Sequence, residues 1–350
     1  MLRAICGDSF ESFHPVSPCR DEPRRRAQRS PARAGAAGRG GEPVRLALAA
    51  EARGRRRRAP GLSALRCHCP PEEARGRALE QAREFARAIK ENGDRVYQVR
   101  SVGDLGGEGL GLMLSMEGVE ALEGDPAAFD EFYELGVRMV GLTWNYVNDF
   151  AGGIEDQTRG LTDKGRVLVG TFAERGVILD LAHASDQTWR DALELDVRIV
   201  VTHAGCRAIR EHPRNLADWQ LEALAERDGV LGLMGLALVV DPDKPTLDRY
   251  VDHVDYAVST MGVEHVGLGA DFIDQVGETE RELGVAEDMP PAMVEALEAG
   301  KTRFGLEDFT GPEHYSRLVE RLSARGYEGR RLYDVLGGNW LRVFRKELPA

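Results

Sequence analysis

Along most of the chain, short continuous runs of Val, Ile and Leu alternate with longer stretches whose apolar residues recur every three to four positions. The clearest unit lies between Val177 and Asn215. Residues 177–181 and 197–201 are short apolar runs rich in Val, Ile and Leu, and residues 185–195 between them read as a helix opened by a Ser/Asp cap. Strand, helix and strand in so short a span make a βαβ unit with parallel strands. Continuous rather than alternating apolar runs indicate strands covered on both faces.

The same alternation extends in both directions. Residues 72–92 are predicted helical, with Ala78, Leu79, Ala82, Phe85 and Ile89 on one face. Residues 110–116, 137–142, 229–236 and 263–270 read as further strands. Helices are predicted over 126–135, 164–175 (stopped by Gly176), 216–227 and 247–261, and near 312–324, 329–336 and 339–348. The acidic stretch 275–299 reads as an insertion. Repeated βα units place the chain in the α/β class. The six predicted strands are two short of a closed eight-stranded barrel.

Composition changes this picture at one end only. The chain carries a net charge of −12, yet residues 1–75 hold 16 Arg, no Lys and 8 acidic residues, a balance of +8 that leaves −20 on the remainder. Four of the five cysteines lie in this stretch, which has neither Trp nor Tyr. Its Arg, Ala, Pro and Gly-rich composition cannot bury enough apolar surface to offset ordering entropy. Residues 1–75 are therefore expected to be a disordered or out-of-frame leader, with order starting near Pro71 and residues 76–350 forming the folded domain. A basic arm for nucleic acid and a metal site at Cys67-His68-Cys69 are set aside, the latter because its spacing fits no zinc pattern. The acidic whole argues against a nucleic-acid partner. No run approaches the roughly 18 apolar residues of a membrane helix, and the start lacks the apolar core of a secretory signal. The expectation is a soluble, cytoplasmic protein with no membrane partner.

The predicted strands end, at their carboxyl sides, in Glu117, Asn145, His183, His203, a glycine-rich 232–235 and Asp271. Parallel α/β folds place their chemistry at that end. Two imidazoles and a carboxylate form a known catalytic zinc set that leaves a position for water. Asp271 could then orient the water or move its proton. The loop after His203 is rich in arginine, and a planar guanidinium such as that of Arg214 can bind a substrate carboxylate bidentately. Singly, each residue has a plainer reading. A strand-end histidine is more often structural, a loop arginine is often only solvated, and Cys206 reads as a small packed residue. Four such residues at four strand ends favour the metal-hydrolase reading.

With these residues in place the chain resembles the membrane (renal) dipeptidase family, including its bacterial cytoplasmic members. The resemblance lies in LSMEG at 114–118, LGVRMVGLTWN at 135–145, GLTDKGR at 160–166, ILDLAH at 178–183, VTHAGCRAI at 201–209, HPRNLAD at 212–218, HVGLGADF at 265–272 and GGNWLRVF at 337–344. It implies a metal-dependent hydrolase on a (β/α)8 TIM-type barrel with two Zn2+ ions, acting on dipeptides, and a homodimer. By position, Glu117 matches the carboxylate bridging both zincs, and His183 and His203 the imidazoles of one of them. Arg214 matches the arginine that holds the substrate's terminal carboxylate, and Asp271 the aspartate near the catalytic water. Trp144 and Asn145 occupy the loop where some members have a substrate-contacting histidine. The first two barrel strands have no recognisable counterpart, and the family's His-x-Asp pair is missing from residues 1–75. One zinc site is thus complete, and the other keeps only Glu117.

Three functional expectations follow. The first is a zinc-dependent dipeptidase. The second is a catalytically impaired relative lacking one zinc site. The third is a barrel metallohydrolase of another amide or ester, since fold does not fix chemistry.

Overall fold

The computed structural model describes residues 61–66, 71–272 and 305–350. The acidic stretch 275–299 and the cysteines before residue 70 lie outside the described residues. Among the described residues eight strands form one parallel sheet: β1 (Gly61–Arg66), β2 (Val96–Gln98), β3 (Leu110–Glu117), β4 (Val137–Gly141), β5 (Ile178–Asp180), β6 (Ile199–Ala204), β7 (Leu231–Leu233) and β8 (Val266–Leu268). The order is β1-β3-β4-β5-β6-β7-β8, with β2 also paired to β3. Helices connect the strands: α1 (Pro71–Glu91), α2 (Phe129–Leu135), α3 (Asp163–Arg175), α4 (Asp186–Leu193), α5 (Asp218–Glu226), α6 (Ala237–Val240) and α7 (Leu247–Met261). The chain closes with α8 (Tyr315–Ala324), α9 (Gly329–Tyr333) and α10 (Asn339–Glu347).

Two strands were not foreseen. β1 lies inside the segment expected to be a leader, so described order begins at Gly61 and not near Pro71. Its sequence, GLSALR, has no apolar run to signal a strand; what fixes it is a six-residue parallel register with β3, from Gly61↔Leu112 to Arg66↔Glu117. β2 is three residues long, too short for any periodicity. Three predicted strands are clearly shorter than expected. Residues 177–181 reduce to β5 and 229–236 to β7, and β8 follows a 3-10 turn over Val263–His265. Predicted caps hold where the chemistry was explicit. Ser185 accepts from the Thr188 N–H at the start of α4, and Gly176 ends α3 in the left-handed region.

The sheet curls. Adjacent strands are spaced by about 4.8 Å, so β3 and β6 would be roughly 14 Å apart in a flat sheet; Glu117 of β3 nevertheless lies 3.3 Å from His203 of β6. Alternation along the strands assigns two faces. Leu112, Leu114, Met116, Val140, Leu179, Val201 and Leu231 pack among the connecting helices. Met113, Met139, Ile178, Val200 and Val230 face the other way, onto Trp340, Leu341 and Phe344 of α10. Among the described residues β1 and β8 end the path, so the architecture is a parallel α/β barrel open along one side, its concave floor filled by the C-terminal helix.

α10 is tied in place. Asn339 Nδ2 donates to the Val263 and Val266 carbonyls at 2.7 Å each, and Trp340 Nε1 donates to Leu268 O at 3.1 Å. Arg198 pairs with Glu347 at 2.7 Å. Phe344 stacks on Trp340 and is 1% exposed. Phe344→Ala should lower the unfolding free energy by about 3–5 kcal/mol, the range for a buried Phe truncation. Urea denaturation with an unchanged slope checks this; a loss under about 1 kcal/mol would show that α10 does not complete the core.

Candidate metal centre

Three side chains converge at the carboxyl edge of the curl. His183 Nε2 and His203 Nε2 are 3.0 Å apart, and Glu117 Oε1 lies 3.2 Å from the first and 3.3 Å from the second. All three are largely buried, with His183 6% exposed and the other two 12%. Among the described residues this is the one group of three or more such side chains spaced to hold a metal ion. Glu117 is the last residue of β3. His183 lies three residues past β5, at φ 65°, where the chain turns its ring inward. His203 sits where the β6–β7 pairing slips, between Val201 and Ala204.

Neighbouring polar groups set which nitrogens carry protons. His183 Nδ1 donates to Asn145 Oδ1 at 2.7 Å. His203 Nδ1 lies 2.8 Å from Thr202 Oγ1, and that hydroxyl gives its own proton to Asp180 Oδ2. Thr202 Oγ1 is therefore the acceptor and His203 Nδ1 the donor. Asp180, itself buried, also accepts from the N–H groups of Ala182 and Thr202 at 2.9 Å. With Nδ1 the donor in each ring, the neutral form of either imidazole turns an Nε2 lone pair toward Glu117. Burial, aided by the Arg214 guanidinium, holds the His183 imidazole well below its ordinary range.

Arg214 is buried at 8% exposure. Its Nη2 donates to His203 O at 3.2 Å. Burial brings its guanidinium down to about 10, against the pull of Glu117, Asp271 and Asp180. It remains charged at neutral pH, surrounded by three carboxylates. Asp271 follows β8 at φ 51°, on this same edge. Trp144 lies with its ring 6.0 Å from that of His183 and packs against Tyr146 on its other side.

The seven residues singled out from sequence therefore gather at one edge. Asn145 has a partner the sequence did not suggest, since it anchors His183. Asp180 and Thr202 were missed altogether. Their signal was present: Asp180 is the lone polar residue of β5, three positions before His183, and Thr202 breaks the apolar run of β6 one position before His203.

A curled parallel sheet that gathers two imidazoles and a carboxylate at its carboxyl edge is the arrangement of a metal-dependent barrel hydrolase. The sequence model of the membrane dipeptidase family, peptidase family M19, matches residues 61–312, and the chain belongs to that family. The match opens on the first residue of β1. The chain is 31% identical over 243 residues to an uncharacterized dipeptidase of Schizosaccharomyces pombe, covering 67% of this chain and 53% of that relative. It thus spans about half of that protein's length. It is 30% identical over 250 residues to an uncharacterized protein in the pqqA 5' region of Klebsiella pneumoniae, covering 67% of this chain and 82% of the other. A crystal structure of a Rhodobacter sphaeroides metallo peptidase, liganded with a phosphinate mimic of the dipeptide L-Ala-D-Ala, shares the fold. Its TM-score is 0.68 at 21% identity, over 83% of this chain and 87% of that one. Among the described residues no helix is long and apolar enough to cross a membrane.

The electrostatics give a pH prediction for the metal-free protein. His212, beside Arg214 and Arg210, is also lowered, by burial first, to about 4. Folded His183 and His212 stay neutral where the unfolded rings take a proton, near pH 6.5. The unfolded chain binds more protons below that pH, so stability falls as pH falls. Each buried ring contributes at most about 1.4 kcal/mol per pH unit, and the partly exposed His212 less. Urea titrations from pH 7 down to 4.5 should show the decline, and His212→Gln should make it shallower. An identical slope in that variant would assign the loss to other groups.

Proposed function

We propose that this chain hydrolyses dipeptides with a free C-terminal carboxylate, and that it uses zinc to do so. The observation that carries the reading is the Glu117–His183–His203 triangle beside a buried arginine. Donor atoms each about 2.0–2.2 Å from one ion in a near-tetrahedral set lie roughly 3.0–3.5 Å apart, and the three edges here are 3.0, 3.2 and 3.3 Å. Three acceptors with no proton between them repel one another unless a cation sits among them. The imidazole and carboxylate donors suit zinc. Glu117, His183 and His203 would hold it.

When bound, the metal supplies Lewis-acid polarisation of the peptide carbonyl and a water able to attack at neutral pH. The chain's own groups do the rest. Asn145 and Thr202 hold the two imidazoles in the tautomer that leaves Nε2 unprotonated. Arg214 binds the terminal carboxylate, in a buried setting where a charge-assisted pair is stronger than in water. Asp271 takes the proton from the attacking water and returns it to the leaving amine. Trp144 walls the substrate on the His183 side. Family membership supports this assignment, as does the dipeptide mimic held by the Rhodobacter neighbour.

The second reading, a one-zinc relative without turnover, is favoured by the missing His-x-Asp pair in residues 1–75. Elemental analysis of the gently desalted protein separates the two. Close to two zincs per chain supports the dipeptidase, whereas one or none supports the impaired relative.

Two substitutions test the roles. His203→Ala should abolish metal-dependent turnover of dipeptides, and unchanged turnover sinks the assignment. Arg214→Ala should raise KM for a dipeptide about 10- to 100-fold, the value of a lost charge-assisted pair. KM for the C-terminal amide should barely move. Equal effects on acid and amide would remove Arg214 as the anchor.

A further inference from the structure

Arg214 rides on the loop 205–216, which joins β6 to α5. The ends of this loop are closed on each other: Leu216 N–H donates to Gly205 O at 2.9 Å and Arg207 N–H to Leu216 O at 2.8 Å. Two buried side chains outside the metal cluster fix its shape. Asn215, 0% exposed, uses every polar atom. Its Oδ1 accepts from Gly205 N–H at 2.9 Å, and its Nδ2 donates to Arg210 O at 2.8 Å and to Val239 O at 2.9 Å. His253 of α7 is 1% exposed. Its Nδ1 accepts from Cys206 N–H at 2.9 Å, so the proton sits on Nε2, which donates to Val240 O at 3.1 Å.

The two side chains meet over Gly205. A Cβ there would lie 2.4 Å from Asn215 Oδ1 and 3.1 Å from His253 Nδ1, so only glycine lets them close. Between them they bind the first turn of the loop, its middle at Arg210, and the separate segment Val239–Val240 that follows β7. Arg214 is the residue directly before Asn215. Its backbone N–H donates to His212 Nδ1 at 3.2 Å and its Nη2 to the carbonyl of His203.

We propose that Asn215 and His253 are positioning residues for carboxylate recognition, holding loop 205–216 so that Arg214 is set against the end of β6 before substrate arrives. The proposal rests on the reading of Arg214 given above. An unclamped loop would have to order when substrate binds, and the entropy of ordering would be subtracted from affinity. The clamp removes that cost and leaves the metal ligands untouched.

The test uses the zinc-loaded protein and a non-hydrolysable pair of probes, a phosphinate dipeptide mimic and its C-terminal amide. Calorimetry gives the ratio of their dissociation constants for the wild type, Arg214→Ala, Asn215→Asp and His253→Phe. Asn215→Asp keeps the acceptor for Gly205 and loses both donors; His253→Phe keeps volume and loses both polar atoms. The expected result is a preference for the acid that falls by about tenfold in both clamp variants, the size of one lost charge-assisted contact, at unchanged zinc content. Loss of the ratio in Arg214→Ala beside an intact ratio in the clamp variants overturns the proposal alone. An intact ratio in Arg214→Ala overturns the reading of Arg214, and the proposal with it. Hydrogen exchange on the wild type needs no variant to fold. Without ligand, the amides of Gly205, Cys206 and Leu216 should exchange as slowly as those of β6, and exchange at the rate of an exposed loop also overturns the proposal.

Discussion

Two imidazole nitrogens and a carboxylate oxygen meet within 3.3 Å. With both rings neutral that arrangement is unfavourable on its own, because three lone pairs face one another in a buried site. The structure sustains it from behind. The His203 ring cannot turn away without losing Thr202, and Thr202 cannot turn without leaving Asp180 short of a donor. Asp180 is a buried carboxylate, tolerable only because two backbone N–H groups and one hydroxyl reach it. Asp180 therefore governs, through Thr202, where the His203 ring points.

The same economy shapes the floor beneath the centre. Strand residues on the concave face grade from large and apolar at the amino end, against α10, to small or polar one turn of the pleat later. Met139, Ile178, Val200 and Val230 are followed on the same face by Gly141, Asp180, Thr202 and Gly232. The lower layer supplies the burial that stabilises the fold. The upper layer spends that stability on a polar network. Glycine has a definite place in it: the Thr202 carbonyl lies where a Cβ on Gly232 or Gly269 would sit, 2.1 and 1.8 Å away. The glycine-rich end of β7 is thus clearance for the strand that carries His203.

How much of this could be read beforehand depended on the range of the signal. Strands β3 to β6 and the helices between them announce themselves locally, through apolar runs and caps, so His183 and His203 were placed at strand ends from sequence alone. β1 has no such signature. Its six residues become a strand because β3 offers a register, and an Arg-rich neighbourhood disguised it. Asn145 was visible as a strand-end residue, but its partner, 38 positions away, was not. Asp180 and Thr202 interact across adjacent strands, a relation that no one-dimensional spacing expresses. The clamp at Asn215 is hidden for the same reason, since His253 arrives from another helix.

A buried arginine next to a site for a cation looks like a poor arrangement until the protonation states are considered. A metal ligand must be deprotonated before it can bind. Arg214 contributes to keeping His183 neutral, since its charge disfavours a second positive charge on the ring. Glu117, Asp271 and Asp180 offset the guanidinium in turn. With these three formally negative and Arg214 positive, the set carries a deficit that one divalent ion would neutralise. Under the proposed function Arg214 would serve the centre twice over: it would hold an imidazole ready for metal, and keep a fixed positive charge beside the place where a substrate carboxylate would lie. Both effects require the guanidinium to be buried and held still, because in water the first would be screened and the second lost to competing hydration.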